Sequence, residues 1–136
     1  MGKTAGIDYG RARIGVAFSD LMGMLASPRD PIKAEGSPEK SGELVARALS
    51  EAEAFVVGLP LHMSGKESEL SLEARRFASA LEEHSGKKVI LWDERLSSAG
   101  ADRLMKEQGG LSRKRRAAKI DSMSATLLLQ SYLDSK

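Results

Sequence analysis

The sequence predicts an α/β domain on one mixed β-sheet, antiparallel in its first part and joined by right-handed β-α-β crossovers in its second. Two short apolar stretches follow each other closely within the first 20 residues, as in a hairpin. Farther along, short β-branched runs alternate with stretches of helical periodicity. With 136 residues, 41% of them hydrophobic, the chain has the size and apolar content of a single domain covering residues 1–136.

The first elements are predicted to be strands. Residues 4–7 are apolar or small, and Ile14, Val16 and Phe18 alternate with small residues at a period of two. Between them, residues 8–11 have the composition of a turn in which Gly10 adopts a positive φ. The prolines of residues 26–38 predict an edge strand followed by a loop.

Helices and strands then alternate. A helix is predicted after Ser37 as N-cap and Pro38 as first helical residue. Its apolar positions are Leu44, Val45, Ala48, Leu49 and Ala52. Residues 55–59 form a continuous apolar run, typical of a strand buried on both faces, which Pro60 ends.

A second helix is predicted after residues 64–67, which have capping-box spacing, and Gly86 is predicted to end it. Its buried stripe comprises Leu70, Ala74, Phe77, Ala78 and Leu81. Residues 89–92 predict another buried strand. In the last third of the chain, the residue pattern predicts a helix over 98–108, a basic loop over 113–116 and a final helix over 119–133.

Composition narrows the functional classes. Only six residues are aromatic, which argues against a platform that stacks single-stranded bases. The absence of cysteine excludes a disulfide framework and a thiolate metal site. Neither a signal peptide nor an apolar run of about 18 residues is present, so we expect a cytoplasmic protein without a membrane partner.

The net charge of +2 is unevenly distributed. Residues 111–136 carry six basic and two acidic side chains, while the rest of the chain is slightly acidic. This asymmetry favours an anionic partner bound at one place. The run Arg113-Lys114-Arg115-Arg116 is equally compatible with a solvated charged surface.

Acidic residues follow the predicted strands. Asp8 ends the first strand, Asp93 and Glu94 end the strand over 89–92, and Asp121 lies in the first predicted turn of the last helix. Each has an ordinary structural explanation alone: a turn residue, a surface ion pair or a helix N-terminal acid. Alternation along the strand allows either Asp93 or Glu94, but not both, to face a common site.

Carboxylates gathered at one sheet edge repel each other unless a cation bridges them, and Mg²⁺ or Mn²⁺ suits such oxygen ligands. Beside a basic segment, such a cluster has the composition of a two-metal site for phosphodiester hydrolysis. We therefore expect nucleic acid as the partner, bound mainly through its phosphates.

Four blocks of the sequence resemble the signature of the YqgF/RuvX family. They are Gly6-Ile7-Asp8-Tyr9-Gly10 through Arg13-Ile14-Gly15-Val16-Ala17, Val57-Gly58-Leu59-Pro60, Asp93-Glu94-Arg95-Leu96-Ser97, and Lys119-Ile120-Asp121-Ser122-Met123-Ser124-Ala125. The resemblance spans essentially the whole chain. It implies a ribonuclease H-like fold, a five-stranded mixed sheet flanked by helices, and an activity on precursor small-subunit ribosomal RNA or on branched DNA such as Holliday junctions.

The resemblance also implies site residues. Asp8, Glu94 and Asp121 would be catalytic ligands of Mg²⁺ or Mn²⁺, with Asp93 as the alternative to Glu94. Apart from the resemblance, we expect the basic residues near these acids to bind phosphates, namely Arg11, Arg95, Arg113, Lys114, Arg115 and Arg116. Two positions depart from the family pattern, since His62 replaces an amide and Ser64 an acid.

Other functions remain open from the sequence. The Ser64 departure gives weight to a non-catalytic RNA-binding factor of ribosome assembly or transcription. A phosphotransferase related to sugar kinases has a similar first hairpin, but this chain is too short for the two-domain cleft of such enzymes. The oligomeric state can be a monomer or a homodimer, and symmetric junction cutting would need the dimer.

Overall fold

The computed structural model describes residues 2–97 and 113–136, with side chains for 2–97 and 123–136. One sheet contains β1 (Lys3–Asp8), β2 (Arg13–Ser19), β3 (Ala26–Lys33), β4 (Ala52–Leu59) and β5 (Lys88–Asp93), in the order β3-β2-β1-β4-β5. The pairs β1–β2 and β2–β3 are antiparallel, and β1–β4 and β4–β5 are parallel. The predicted five-stranded mixed sheet is therefore confirmed.

Helices cover both faces of the sheet. The described helices are α1 (Pro38–Ala48), α2 (Glu69–Ser85) and α3 (Arg113–Asp134). Ile7 and Val57 belong to the core under α1 and α2, while Ala17 and Val56 pack against α3. Successive residues of a strand point to opposite faces of the sheet. Alternate residues of each strand therefore pack against α1 and α2 on one face or against α3 on the other. The helix predicted over 98–108 lies outside the described residues.

The helix boundaries confirm some predictions and correct others. Ser37 caps α1 by accepting a hydrogen bond from the Lys40 amide, and Gly86 ends α2 in the left-handed region at φ 67°, both as predicted. The predicted capping box over 64–67 is wrong. The box lies one turn later, where Ser68 and Ser71 bond reciprocally. Gly65 adopts φ 90°, which excludes it from a helical turn.

The basic segment is helical, and the prediction of a loop over 113–116 is wrong. Helix α3 begins at Arg113, six residues before the predicted start at Lys119. Arginine, lysine and alanine have high helix propensity, and residues 113–134 contain neither glycine nor proline. Asp121 consequently lies in the third turn of α3, so the explanation as a first-turn acid no longer applies.

Three further predictions need correction. Gly10 does not have a positive φ, but a Cβ there would collide with the Arg13 carbonyl oxygen, so close approach explains the glycine. Strand β5 is only partly buried, with Leu91 37% exposed, because it has one neighbouring strand at the sheet edge. Ala48 is exposed and Ala52 begins β4, so the buried side of α1 is rotated towards Gly42 and Val45.

Gly42 of α1 packs closely against α2. A Cβ at this position would lie 2.7 Å from the Ala80 Cβ, 2.7 Å from the Phe77 carbonyl oxygen and 2.9 Å from the Leu81 nitrogen. Since two of these atoms are backbone, Gly42→Ala can be accommodated only by moving the helices apart. We expect an overpacking cost that outweighs the gain in helix propensity of about 1 kcal/mol.

The free energy of unfolding of Gly42→Ala is therefore expected to fall by about 1–2 kcal/mol in urea titrations. Gly36→Ala is the matched control, because a Cβ at Gly36 would meet no atom within 4 Å. Equal stability of the two variants would contradict the close helix contact.

Among the described helices, none combines the length and the apolar character required to cross a membrane.

Candidate active site

Asp8 is a buried carboxylate on the α3 side of the sheet. It shares its strand face with Gly6, where a Cβ would lie 2.7 Å from the Leu129 Cβ of α3. Only 2% of Asp8 is exposed. The end of β1 therefore delivers a carboxylate beneath the helix that carries Asp121.

Glu94 lies on the same side. It begins a 3-10 turn, Glu94–Leu96, directly after β5, and 3% of it is exposed. Its Oε1 atom lies 2.6 Å from the position that a Cβ would take at Gly58 of β4. Because Val57 pairs with Ile7, Gly58 lies level with Asp8 on the neighbouring strand. Asp8 and Glu94 thus occupy the two sides of Gly58.

Asp93 is engaged differently. Its carboxylate accepts hydrogen bonds from the Arg95 amide at 2.9 Å and from the Arg95 guanidinium at 2.7–3.1 Å. The Arg95 guanidinium holds the pKa of the Asp93 carboxyl below its usual value. The alternation of β5 left the choice between the two acids open, and the structure places Glu94, rather than Asp93, over Gly58.

Asp121 is placed by the backbone of α3. It lies one turn before Ala125 and two turns before Leu128, both fully buried, so it occupies the sheet-facing side of the helix. Its side chain lies outside the described residues. No three acids or histidines form a possible metal cluster among the side chains that are described. The predicted ligand set is complete only with Asp121.

Ser124 is a further polar group on this side of α3. Its Oγ is buried without a hydrogen-bond partner among the described residues. A buried hydroxyl without any partner is costly, so we expect a partner beyond the described side chains. Our sequence reasoning did not identify Ser124, although its spacing of three from Asp121 is a helical signal for a shared face.

The predicted phosphate-binding residue Arg95 joins β5 to the loop before α2. Besides Asp93, its guanidinium donates to the Met63 carbonyl oxygen at 3.2 Å and lies 3.3 Å from the Cβ position of Gly65. His62 and Ser64, the two residues that differ from the family pattern, are exposed in this loop. The Arg95 contacts therefore hold that loop beside the end of β5.

Arg11 lies on the α2 side of the hairpin. It donates to both carboxylate oxygens of Glu73, with the shortest distance 2.6 Å, and this lowers the pKa of Glu73. The Arg11 side chain is 60% exposed, so solvent screens this ion pair and it contributes little to the stability of the fold. Glu73 carried no signal in the sequence that would pair it with Arg11.

The side chains of Arg113, Lys114, Arg115 and Arg116 lie outside the described residues. Their backbone forms the first turn of α3. They precede Asp121 by five to eight residues, which at 1.5 Å per residue corresponds to roughly 8–12 Å along the helix axis.

Solved structures share this fold. The RuvC protein of T. thermophilus in complex with a Holliday junction substrate aligns with a TM-score of 0.56 and 16% identity, covering 99% of this chain and 96% of that one. A second Thermus thermophilus RuvC structure aligns with a TM-score of 0.54 at the same identity. At this identity the likeness concerns the fold, and the predicted ribonuclease H-like architecture is confirmed.

Proteins related in sequence share more identical residues with this chain than the two RuvC structures do. A protein of Chlamydia caviae named "Putative pre-16S rRNA nuclease" is 41% identical over 133 residues, covering 96% of this chain and 82% of its own. A protein of the same name from Syntrophomonas wolfei is 42% identical, covering 97% and 94%. The family described as RuvX, Holliday junction resolvase, matches residues 2–135. These matches confirm the resemblance of the four sequence blocks, and the chain belongs to the RuvX family.

Proposed function

We propose that this protein is a divalent-metal-dependent endonuclease that processes the precursor of 16S ribosomal RNA. The observation that carries the proposal is the burial of Asp8 and Glu94 on one side of the sheet, on either side of Gly58. The names of the relatives support the substrate class. Membership in the RuvX family keeps a four-way DNA junction as the second substrate to test.

The residues fit a hard cation. Mg²⁺ and Mn²⁺ prefer carboxylate and water oxygens, and Asp8, Glu94 and Asp121 would supply the carboxylates. The Ser124 hydroxyl, which has no partner among the described residues, adds a polar group that can bond a water on the same side of α3. When bound, the metal supplies an activated water and stabilises the leaving oxygen of the phosphodiester.

The protein's own residues would position the nucleic acid strand. The exposed guanidinium of Arg11 and the basic first turn of α3 would bind phosphates, with Arg95 at the loop beside the carboxylates. Because phosphates carry no base identity, such contacts orient a strand without reading its sequence. The scarcity of aromatic residues agrees with this mode of binding.

Cleavage of both substrates by the purified protein tests the proposal. We expect the precursor ribosomal RNA to be cut in Mg²⁺ or Mn²⁺ and left intact in EDTA, with a four-way DNA junction cut more slowly. Binding of the RNA without cleavage at any metal concentration would instead support the non-catalytic RNA-binding factor.

The basic first turn of α3 is expected to set the salt dependence of binding. Replacing Arg113, Lys114, Arg115 and Arg116 by alanine removes up to four phosphate contacts while keeping residues that favour a helix. The slope of log K against log salt should then decrease by roughly 3 for RNA, since each single-strand contact contributes about 0.7.

The control variant carries Lys40→Ala and Arg47→Ala, two exposed residues of α1 on the opposite side of the sheet. It should keep the wild-type slope. An unchanged slope in the α3 variant, measured by filter binding between 50 and 200 mM salt, would assign these four residues to a solvated surface.

A further inference from the structure

Gly58 stands at the centre of the carboxylate site. Its φ is not in the positive region, so its backbone conformation is open to other residues. A Cβ there would instead lie 2.6 Å from Glu94 Oε1, 3.1 Å from Glu94 Cγ and 3.1 Å from Leu128 Cδ2. The glycine is therefore explained by the space above it, and that space is occupied mainly by the Glu94 side chain.

This space matters because of the strand order. Glu94 follows β5 and Asp8 ends β1, and β4 lies between them. Two strand spacings separate their backbones by roughly 9.6 Å. Oxygens that bind one Mg²⁺ lie only about 3–4 Å apart, since each metal–oxygen distance in the octahedron is about 2.1 Å. The Glu94 side chain must therefore cross over β4.

We propose that Gly58 is a positioning residue, whose missing side chain opens the path by which the Glu94 carboxylate crosses β4 towards Asp8. This inference rests on the proposed function for its consequence, namely metal binding. Any side chain at position 58 would occupy the same space. Glu94 would yield first, because its Oε1 atom lies 2.6 Å from the Cβ position, whereas the Leu128 Cδ2 atom lies 3.1 Å away.

Packing of α3 is the competing explanation, since Leu128 also lies close to the Cβ position of Gly58. The two explanations differ when Glu94 is shortened. In a Glu94→Ala background, the Glu94 contacts are gone, while the Leu128 contact remains. A double-mutant cycle of Gly58→Ala and Glu94→Ala therefore separates them.

The first measurement is the affinity for Mn²⁺ by calorimetric titration of four proteins: wild type, both single variants and the double variant. We expect Gly58→Ala to weaken binding by about 10–100-fold, as for other changes that misorient a metal ligand. In the Glu94→Ala background, Gly58→Ala should weaken it no further. Gly36→Ala, which adds a Cβ in open space, should bind Mn²⁺ like the wild type.

The second measurement uses the same proteins in EDTA and needs no metal. The melting temperature should fall by a few degrees with Gly58→Ala and be unchanged by it in the Glu94→Ala background. If the effects of Gly58→Ala persist in the Glu94→Ala background, the inference is overturned in favour of Leu128 packing. If Gly58→Ala has no effect in either assay, the inference is overturned as well. Failure of the wild type to bind Mn²⁺ would refute the proposed function, and the melting cycle would still decide the role of Gly58.

Discussion

The Asp8→Asn variant is expected to lose metal-dependent cleavage by about 10³-fold or more while remaining folded. Asparagine has nearly the same shape as aspartate but lacks the charge that attracts a divalent cation. Loss of several kcal/mol of metal-assisted transition-state stabilisation corresponds to at least three orders of magnitude in rate. The loss of rate is measured as the single-turnover cleavage rate of precursor 16S ribosomal RNA in Mg²⁺ and in Mn²⁺.

The control for this prediction is Asp30→Asn, the same chemical change at an exposed position of β3. It should cleave like the wild type. In EDTA, Asp8→Asn should keep a cooperative melting transition, because asparagine fills nearly the same space at this buried position. Full activity of Asp8→Asn, with contaminating nuclease excluded, would remove the central claim of the proposed function.

Phe77→Ala is expected to lower the free energy of unfolding by about 3–5 kcal/mol, as is usual for a buried aromatic ring. Phe77 of α2 is fully buried, and its ring lies 5.1 Å from that of Tyr9. Stability of a chain this long is about 7–20 kcal/mol, so one substitution would remove a large part of it. The cavity would also lie beneath Tyr9, the residue after Asp8.

Urea denaturation of Phe77→Ala should be compared with Leu72→Ala, on the same helix but 53% exposed. The exposed site should change stability by no more than about 0.5 kcal/mol. A loss of less than 1 kcal/mol in Phe77→Ala would mean that the core between α2 and the sheet repacks around the missing ring.

The main elements of the fold could be predicted because their signals are local. Alternating residues identified β2, the continuous apolar run identified β4, and Ser37 and Gly86 marked helix ends. Boundaries failed where two local signals competed. The spacing of residues 64–67 matched a capping box, but Gly65 turns the chain and Ser68 caps the helix instead.

The basic segment illustrates a different failure. A run of four charges after two glycines has the composition of a loop, yet Arg and Lys are strong helix formers, and α3 extends to Arg113. Charge describes how a segment interacts with solvent and ligands. It does not determine the backbone conformation.

The sequence by itself determined that acids follow β1 and β5, because alternation and apolar runs mark where strands end. It also predicted that both acids lie at one edge of the sheet, where the carboxyl ends of parallel strands meet. It could not choose between Asp93 and Glu94, which alternate equally well. Only the tertiary structure distinguishes their surroundings, since Arg95 binds Asp93 while Gly58, on another strand, leaves space for Glu94. Such a choice depends on contacts between residues distant in the chain, and periodicity within one strand does not record them.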